Sequence, residues 1–325
     1  MTLHPIYSRA MDLKPISSQL FFSKNDPQDP RLGEWAATPH PEHQRFHILG
    51  YPDDEGIKLN GGRPGAADAP DTIRQFFYKM TPDATVLKDF TLEDLGNLSM
   101  EGTLAERHER GRRVVNELAR QDKYWISLGG GHDYGYCDTT AFVQAYKEHK
   151  PLVINFDAHL DVRPVHLDQK SQGLHSGTAF FRMMNEFGHN CSFIEVGLQA
   201  HCNSPYHARW LNERGGRIVW REAIDEYGMV ESLQQLVPLA IHPAFISVDV
   251  DALSSSIAPG CSQSWASGLQ WQEFIRGFDF LIDSFDVKGI GIYEVSPVLD
   301  EDNKTSKLAA LIMHRFIFQT LKKSE

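Results

Sequence analysis

The stretch PLVINFDAHLD, residues 151–161, opens as an apolar run and closes on two acids and an imidazole. Leu152, Val153, Ile154 and Phe156 place apolar side chains on both faces of a strand, the pattern of a parallel sheet covered by helices. Asp157, His159 and Asp161 follow at once. A buried carboxylate without a partner is costly, and neighbouring carboxylates raise one another's pKa. A strand that ends this way delivers polar side chains to the rim of a sheet, where positive charge must hold them together.

The same alternation runs outward in both directions from Phe46 onward. Further apolar runs, FHILGY, YWISLGGG, SFIEVGL, RIVW, AFISVDVD and GIGIYEV, read as buried strands. Between them LAERHERGRRVVNELARQ, MVESLQQLVPLA, LQWQEFIRGFDFLIDSF and KLAALIMHRFIFQTL carry apolar residues at helical spacing. Strand, helix, strand in this order implies parallel pairing with helices on both faces, one α/β domain over residues 46–325. Residues 1–45, with SKNDPQDPRLGEW, read as an irregular arm.

Composition narrows the partners. The 325 residues are 41% hydrophobic and 23% charged, with a formal net charge of −11. So acidic a chain is a poor ligand for nucleic acid or an anionic membrane. The Arg110, Arg112, Arg113 cluster reads as a solvated helix face. Four cysteines without CxxC spacing fit a reducing compartment. No signal-peptide pattern or long apolar span is seen, so a cytoplasmic location is expected. The HCNSPYH run, residues 201–207, offers a single thiol at poor spacing for zinc and reads as a polar loop.

Three apolar runs end in ligand-type residues: His132 and Asp133; Asp157, His159 and Asp161; Asp249 and Asp251. Parallel strands bring all three ends to one rim. Any one of these acids could be a helix cap, but the set asks for a metal. Four aspartates, Asp157, Asp161, Asp249 and Asp251, balance two divalent ions. At i, i+2 and i+4, Asp157, His159 and Asp161 share a side if strand geometry continues past the strand end. Carboxylates and imidazoles without thiolate suit Mn²⁺. Two such ions can acidify a shared water, which points to hydrolysis. The run Gly129-Gly130-Gly131 lacks the GxGxxG and GK[ST] patterns of nucleotide sites, so close backbone approach is the better reading.

Taken together, GGGHD (129–133), DAHLD (157–161) and SVDVDALSSSIAPG (247–260) resemble the metal motifs of the ureohydrolase family of arginases, agmatinases and formimidoylglutamases. The resemblance extends from about Phe46, through NGGRPGAADAPDTIR, to YEVSPVLDEDNKTSKLAALI. It implies an arginase-like three-layer fold and two Mn²⁺ per chain. One ion would be held by His132, Asp157, Asp161 and Asp249, the other by His159, Asp157, Asp249 and Asp251. Asp133 falls outside the ligand set, as an acceptor behind it. The implied reaction is hydrolysis of a guanidino or formimino C–N bond, with Asp161 and Glu294 among the catalytic residues. Glu294 pairs with the cationic amidine. His175, in GLHSGTAF, lies where arginases carry a proton-shuttling histidine. A homo-oligomer, trimer or hexamer, is implied by the resemblance alone.

Within the family, GGGHD, DVRP and HSGTAF look most like formimidoylglutamases, which cleave N-formimidoyl-L-glutamate to L-glutamate and formamide in histidine degradation. Arg163 stands where arginases place an Asn, and its guanidinium can hold a carboxylate through two hydrogen bonds. Asn60, Arg63 and Arg182 are further candidates for the substrate wall. The alternatives are a salt bridge from Arg163 to Asp168 or another surface acid, another ureohydrolase substrate, or a family member that binds metal without turnover. The family's usual Asp-Pro after the third motif is absent here, in keeping with the formimidoylglutamase reading. Trp265, in the 261–268 loop, is expected near the mouth of the site.

Overall fold

Each apolar run becomes a strand of one sheet in the computed structural model, which describes residues 12–38, 44–86, 89–165, 173–237 and 242–323. The strands are β1 (Leu13–Lys14), β2 (Gln44–Gly50), β3 (Phe90–Leu98), β4 (Tyr124–Leu128), β5 (Leu152–Phe156), β6 (Ser192–Leu198), β7 (Arg217–Trp220), β8 (Pro243–Asp249) and β9 (Asp286–Tyr293). Among the described residues their order across the sheet is β1-β3-β2-β4-β9-β8-β5-β6-β7. Every pairing is parallel except β1 with β3.

Helices close both faces and complete three layers. Ala69–Phe77, Trp271–Ser284 and Lys304–Lys323 cover one face, packing Ile73, Phe278 and Phe316 toward Ile126, Ile154 and Ile246. Leu104–Arg120, Gly135–Tyr146 and Ala179–Phe187 cover the other, with Val115, Phe142 and Met183 toward Trp125, Val153 and Phe245. Both layers are buried, and truncating a fully buried aromatic such as Phe156 to Ala costs about 3–5 kcal/mol. Gly135–Tyr146 escapes a sequence reading because it is buried nearly all round and mixes Asp138, Thr139 and Thr140 with its apolar residues, so no helical stripe marks it.

On this second face the side chains change character along the strands. Trp125, Phe245, Val153 and Phe193 form an apolar row. Two residues further, Ser127, Ser247, Asn155 and Glu195 form a polar row, in register through Gly291 of β9. Two residues beyond that the strands end, at the rim the sequence marks as acidic.

Two expectations change. The segment 1–45 is not wholly irregular over its described part, 12–38 and 44–45; residues 1–11 and 39–43 lie outside the described residues. β1 adds to the sheet edge, and the helix Leu32–Ala37 buries Leu32 and Ala36 while Trp35 stacks on Phe90 at 5.8 Å. The Arg110, Arg112, Arg113 cluster is not a free solvated face. Arg110 and Arg113 hold Asp12 at 3.2 and 3.1 Å, and Arg112 holds Glu186 at 2.8 Å, so ion pairs tie this helix to its surroundings.

Candidate metal centre and active-site cleft

Three strand ends converge as the parallel order requires. β4 runs into Gly129-Gly130-Gly131 and delivers His132; β5 delivers Asp157, His159 and Asp161; β8 delivers Asp249 and Asp251. The glycines serve close approach: a Cβ on Gly130 would meet the Asp53 carbonyl oxygen at 1.7 Å, and one on Gly129 the Tyr293 ring at 2.3 Å. The backbone hydrogen bonds Gly130 N to Tyr51 O and Glu294 N to Gly130 O, both 2.9 Å, lock this turn between the loops after β2 and β9.

The acids do not share a side through continued strand geometry, as their i, i+2, i+4 spacing implies. β5 stops at Phe156, and Asp161 returns to the cluster because it adopts φ +47°. Its carbonyl then receives the Phe180 and Phe181 amides at 3.1 and 3.3 Å. After Asp249 the chain turns into a short 3-10 helix, Val250–Ala252, and the Asp249 carboxylate accepts from Asp251 N at 2.9 Å. Glu294 has φ +64°. Left-handed backbone at two acidic residues is strain of order 1–3 kcal/mol each, concentrated at the site.

The result is two adjoining groups of ligand atoms: His132, Asp157, Asp161 and Asp249; and Asp157, His159 and Asp251. Asp249 falls in the first group only, so its expected bridging position is not reproduced in the second. Asp157 faces both. Its Oδ2 lies 3.1 Å from His132 Nδ1, and its Oδ1 3.6 Å from His159 Nδ1. His159 Nδ1 also lies 3.0 Å from Asp251 Oδ2.

His132 tests whether a metal fits. Its Nδ1 is buried without a hydrogen bond of good geometry, yet carboxylate oxygens of Asp157, Asp161 and Asp249 stand 3.1, 3.2 and 3.1 Å away. Its Nε2 is 2.9 Å from Ser247 Oγ, and the ring stacks on Tyr293 at 4.9 Å. A ring that donates from Nε2 aims its Nδ1 lone pair at the acids, the arrangement of a metal-ligating histidine. The donor set, carboxylates and imidazoles, suits Mn²⁺.

Charge makes the same demand. Burial pushes Asp249 well above the usual carboxylate range, with Asp251 and Asp157 adding to it. Burial likewise lifts Asp251 to about 6 and Glu294 to about 8. Burial would raise Asp157 too, but the His132 and His159 rings outweigh it and hold that carboxyl low. The two imidazoles, against burial, are raised by the acids around them. Four acids at this density need cations to stay ionised together.

Of the candidate ligands, His159, Asp161, Asp249 and Asp251 open onto a cleft of about 230 Å³, lined also by Asn60, Arg163, Ser176, Cys202, Gln263 and Glu294. Glu294 Oε1 accepts from His132 N at 3.0 Å. Arg163 Nη1 donates to Asn60 Oδ1 at 2.6 Å, and Asn60 Nδ2 donates to Ser176 Oγ at 3.0 Å, so a chain of polar contacts fixes one wall. The alternative partner of Arg163, Asp168, lies outside the described residues.

Other candidates sit elsewhere. Arg63 is turned to the carbonyls of Cys261 and Ser262, 2.9–3.1 Å away, and clips the 261–268 loop instead of lining the cleft. His175 is buried at 4% exposure and is not among the lining residues; its neighbour Ser176 is. Arg182 lies over the Tyr136 ring at 3.6 Å and beside His108. Asp133 turns away from the ligands, with Oδ2 2.6 Å from His108 Nε2. Trp265 is 42% exposed and packs edge-on to His201 at 4.9 Å, while Ser262 and Gln263 represent its loop in the cleft.

The loop after β6, read from sequence only as polar, also serves the site. Asn203 receives the Leu160 amide at 2.8 Å and donates to the Ala158 carbonyl at 2.7 Å, so it braces DAHLD, and Cys202 beside it lines the cleft. The HCNSPYH run is thus a polar loop with a structural task at the site.

Comparison with known proteins places this architecture. A model described as the arginase family matches residues 44–319. The formimidoylglutamase of Clostridium tetani is 30% identical over 284 residues, 84% of this chain and 82% of that protein. The crystal structure of Trypanosoma cruzi formiminoglutamase with Mn²⁺ superposes with a TM-score of 0.80 at 28% identity, covering 90% of this chain and 99% of that one. The crystal structure of Bacillus subtilis formimidoylglutamase gives a TM-score of 0.80 at 26% identity, covering 93% and 94%.

Proposed function

The chain belongs to the arginase family, and from that premise we propose that it hydrolyses the formimino C–N bond of N-formimidoyl-L-glutamate. One water is consumed, and L-glutamate and formamide are released. The observation that carries this reading is the shared cleft: Arg163 stands on the wall of the same opening as His159, Asp161, Asp249, Asp251 and Glu294. A cation beside a carboxylate-rich rim suits a substrate with an amidine at one end and carboxylates at the other.

We propose that two Mn²⁺ are the resident ions. One would be held by His132, Asp157, Asp161 and Asp249, and the other by His159, Asp157 and Asp251. Bound there, they would supply an acidified water as nucleophile at neutral pH. The chain does the rest by position. Ser247 Oγ, able to accept from His132 Nε2, leaves Nδ1 to face the ion. Glu294, buried and held by the His132 amide, offers a carboxylate to the amidinium. Arg163, steadied by Asn60 and through it Ser176, takes a substrate carboxylate.

The proposal extends to a cytoplasmic homo-oligomer with residues 46–325 as the catalytic unit. Four free thiols support a reducing compartment. Among the described residues no helix is long and apolar enough to cross a membrane.

Purified, Mn²⁺-loaded protein assayed on formimidoylglutamate, arginine, agmatine and guanidinobutyrate tests the assignment. The highest kcat/KM is expected on formimidoylglutamate. Arginine or agmatine as the best substrate overturns the substrate assignment, and no turnover on any of them despite bound metal overturns the enzyme.

A further inference from the structure

Beneath the metal ligands lies a carboxylate that no ligand or substrate role uses. Glu195, in the middle of β6, is fully buried between the apolar Phe193, Ile194 and Val196. A carboxyl group there costs the fold several kcal/mol in lost hydration, and a leucine would fill the same space. Its contact explains it. Glu195 pairs across the sheet with Asn155 of β5, whose Nδ2 donates to Glu195 Oε2 at 2.8 Å and to Asp157 Oδ2 at 3.1 Å. Asp157 Oδ2 is the oxygen that faces His132 Nδ1.

A side-chain amide has two faces of opposite character. Turned by half a revolution, Asn155 would set its Oδ1 against Asp157 Oδ2, acceptor against acceptor, and withdraw the donor. Within the described structure nothing hydrogen-bonds Asn155 Oδ1 to oppose that turn. An acceptor at Glu195 selects the orientation in which the NH₂ points toward both acids. We infer that Glu195 is a positioning residue of the metal centre, acting through Asn155 to hold the Asp157 carboxylate turned toward its ion. The neighbouring Ser247 contacts His132 from the same row, so Ser247 and Asn155 both meet ligands above them.

This inference rests on the proposed Mn²⁺ centre, and its test separates the two. Mn²⁺ dissociation constants are measured by competition with a calibrated chelator for the unmodified protein, Glu195→Leu, Asn155→Leu, the double variant and Glu195→Gln, with circular dichroism checking the fold. Loss of an orienting partner of a ligand weakens metal binding roughly 10–100-fold, and that is expected for each Leu variant. The double variant is expected within about threefold of Asn155→Leu alone, since contacts in one chain are not additive. Glu195→Gln keeps an acceptor carbonyl and is expected to recover most of the affinity lost in Glu195→Leu. Unchanged affinity in Glu195→Leu, additive losses in the double variant, or a Gln variant as weak as the Leu variant each overturn the inference. If Glu195→Leu does not fold, Glu195→Gln beside Asn155→Leu still decides: a weakened Gln variant refutes it, and near-normal Gln with weakened Asn155→Leu supports it. Failure of the unmodified protein to bind Mn²⁺ would instead remove the metal reading on which the inference stands.

Discussion

Replacing Glu294 by Gln probes the chemistry with little disturbance of the fold. The side chain is buried, and Oε1 accepts the His132 amide at 3.0 Å. Gln can accept the same hydrogen bond and has the same length, so His132 stays in place and the metal content is expected to be unchanged. What disappears is the charge offered to the amidinium. Removing one member of a buried ion pair costs about 3–5 kcal/mol, and each 1.4 kcal/mol is tenfold, so kcat/KM should fall on the order of 10²- to 10³-fold. Glutamate release in a coupled assay, with metal measured on the same preparation, reads both quantities. A Glu294→Gln protein that retains its Mn²⁺ and stays within fivefold of the unmodified kcat/KM would refute the pairing. Loss of Mn²⁺ in this variant would show that Glu294 serves the metal centre and not the substrate.

Three further outcomes follow from the same geometry. Ser247→Ala removes the acceptor of His132 Nε2; Mn²⁺ affinity should drop about tenfold, and a chelator titration that shows no change contradicts the tautomer argument. Arg163→Ala should raise KM for formimidoylglutamate at least about tenfold, the lower end of what a charged hydrogen bond contributes, with kcat changed far less; an unchanged KM takes Arg163 out of the substrate wall. In the metal-free protein, Asp251 and Glu294 titrate near 6 and 8, against 3.8 and 4.5 in ordinary surroundings. The folded state therefore holds protons that the unfolded chain has released, and stability falls as pH rises, by about 1.4 kcal/mol per pH unit for each such group within its window. Asp157, held low, is ionised in both states above pH 5 and adds no slope there. Thermal unfolding of metal-free protein should give a Tm that declines from pH 5 to pH 9, and a Tm that climbs contradicts the burial of these acids.

Much of this was legible in the sequence where burial on both faces leaves a continuous apolar run, as in β2, β4, β5, β6, β7, β8 and β9. β3 was not, because FTLEDLGNL carries Glu93 and Asp94, which become tolerable inside only through partners on other elements: Arg45 at 2.9 Å and Arg74 at 2.7 Å. The six candidate ligand residues were legible as chemistry at strand ends, yet not the turns that gather them, since nothing in Asp161 or Glu294 announces a positive φ. Direction of long side chains was equally hidden: Arg63 belongs to the right segment and points at carbonyls. The row beneath the ligands did leave a signal. VINF, FIEVG and FISV each hold one polar residue among apolar ones, Asn155, Glu195 and Ser247, and a polar side chain in the middle of a core strand demands a partner.

The central claim is that six side chains from three strand ends hold a pair of Mn²⁺ ions close enough to act together. Electron paramagnetic resonance of Mn²⁺-loaded protein, with metal counted per chain, tests it most directly. Two ions per chain with the spectrum of a spin-coupled pair, reduced to one or none in Asp157→Asn, is the expected result. A single uncoupled Mn²⁺, or a pair that survives Asp157→Asn unaltered, would contradict it.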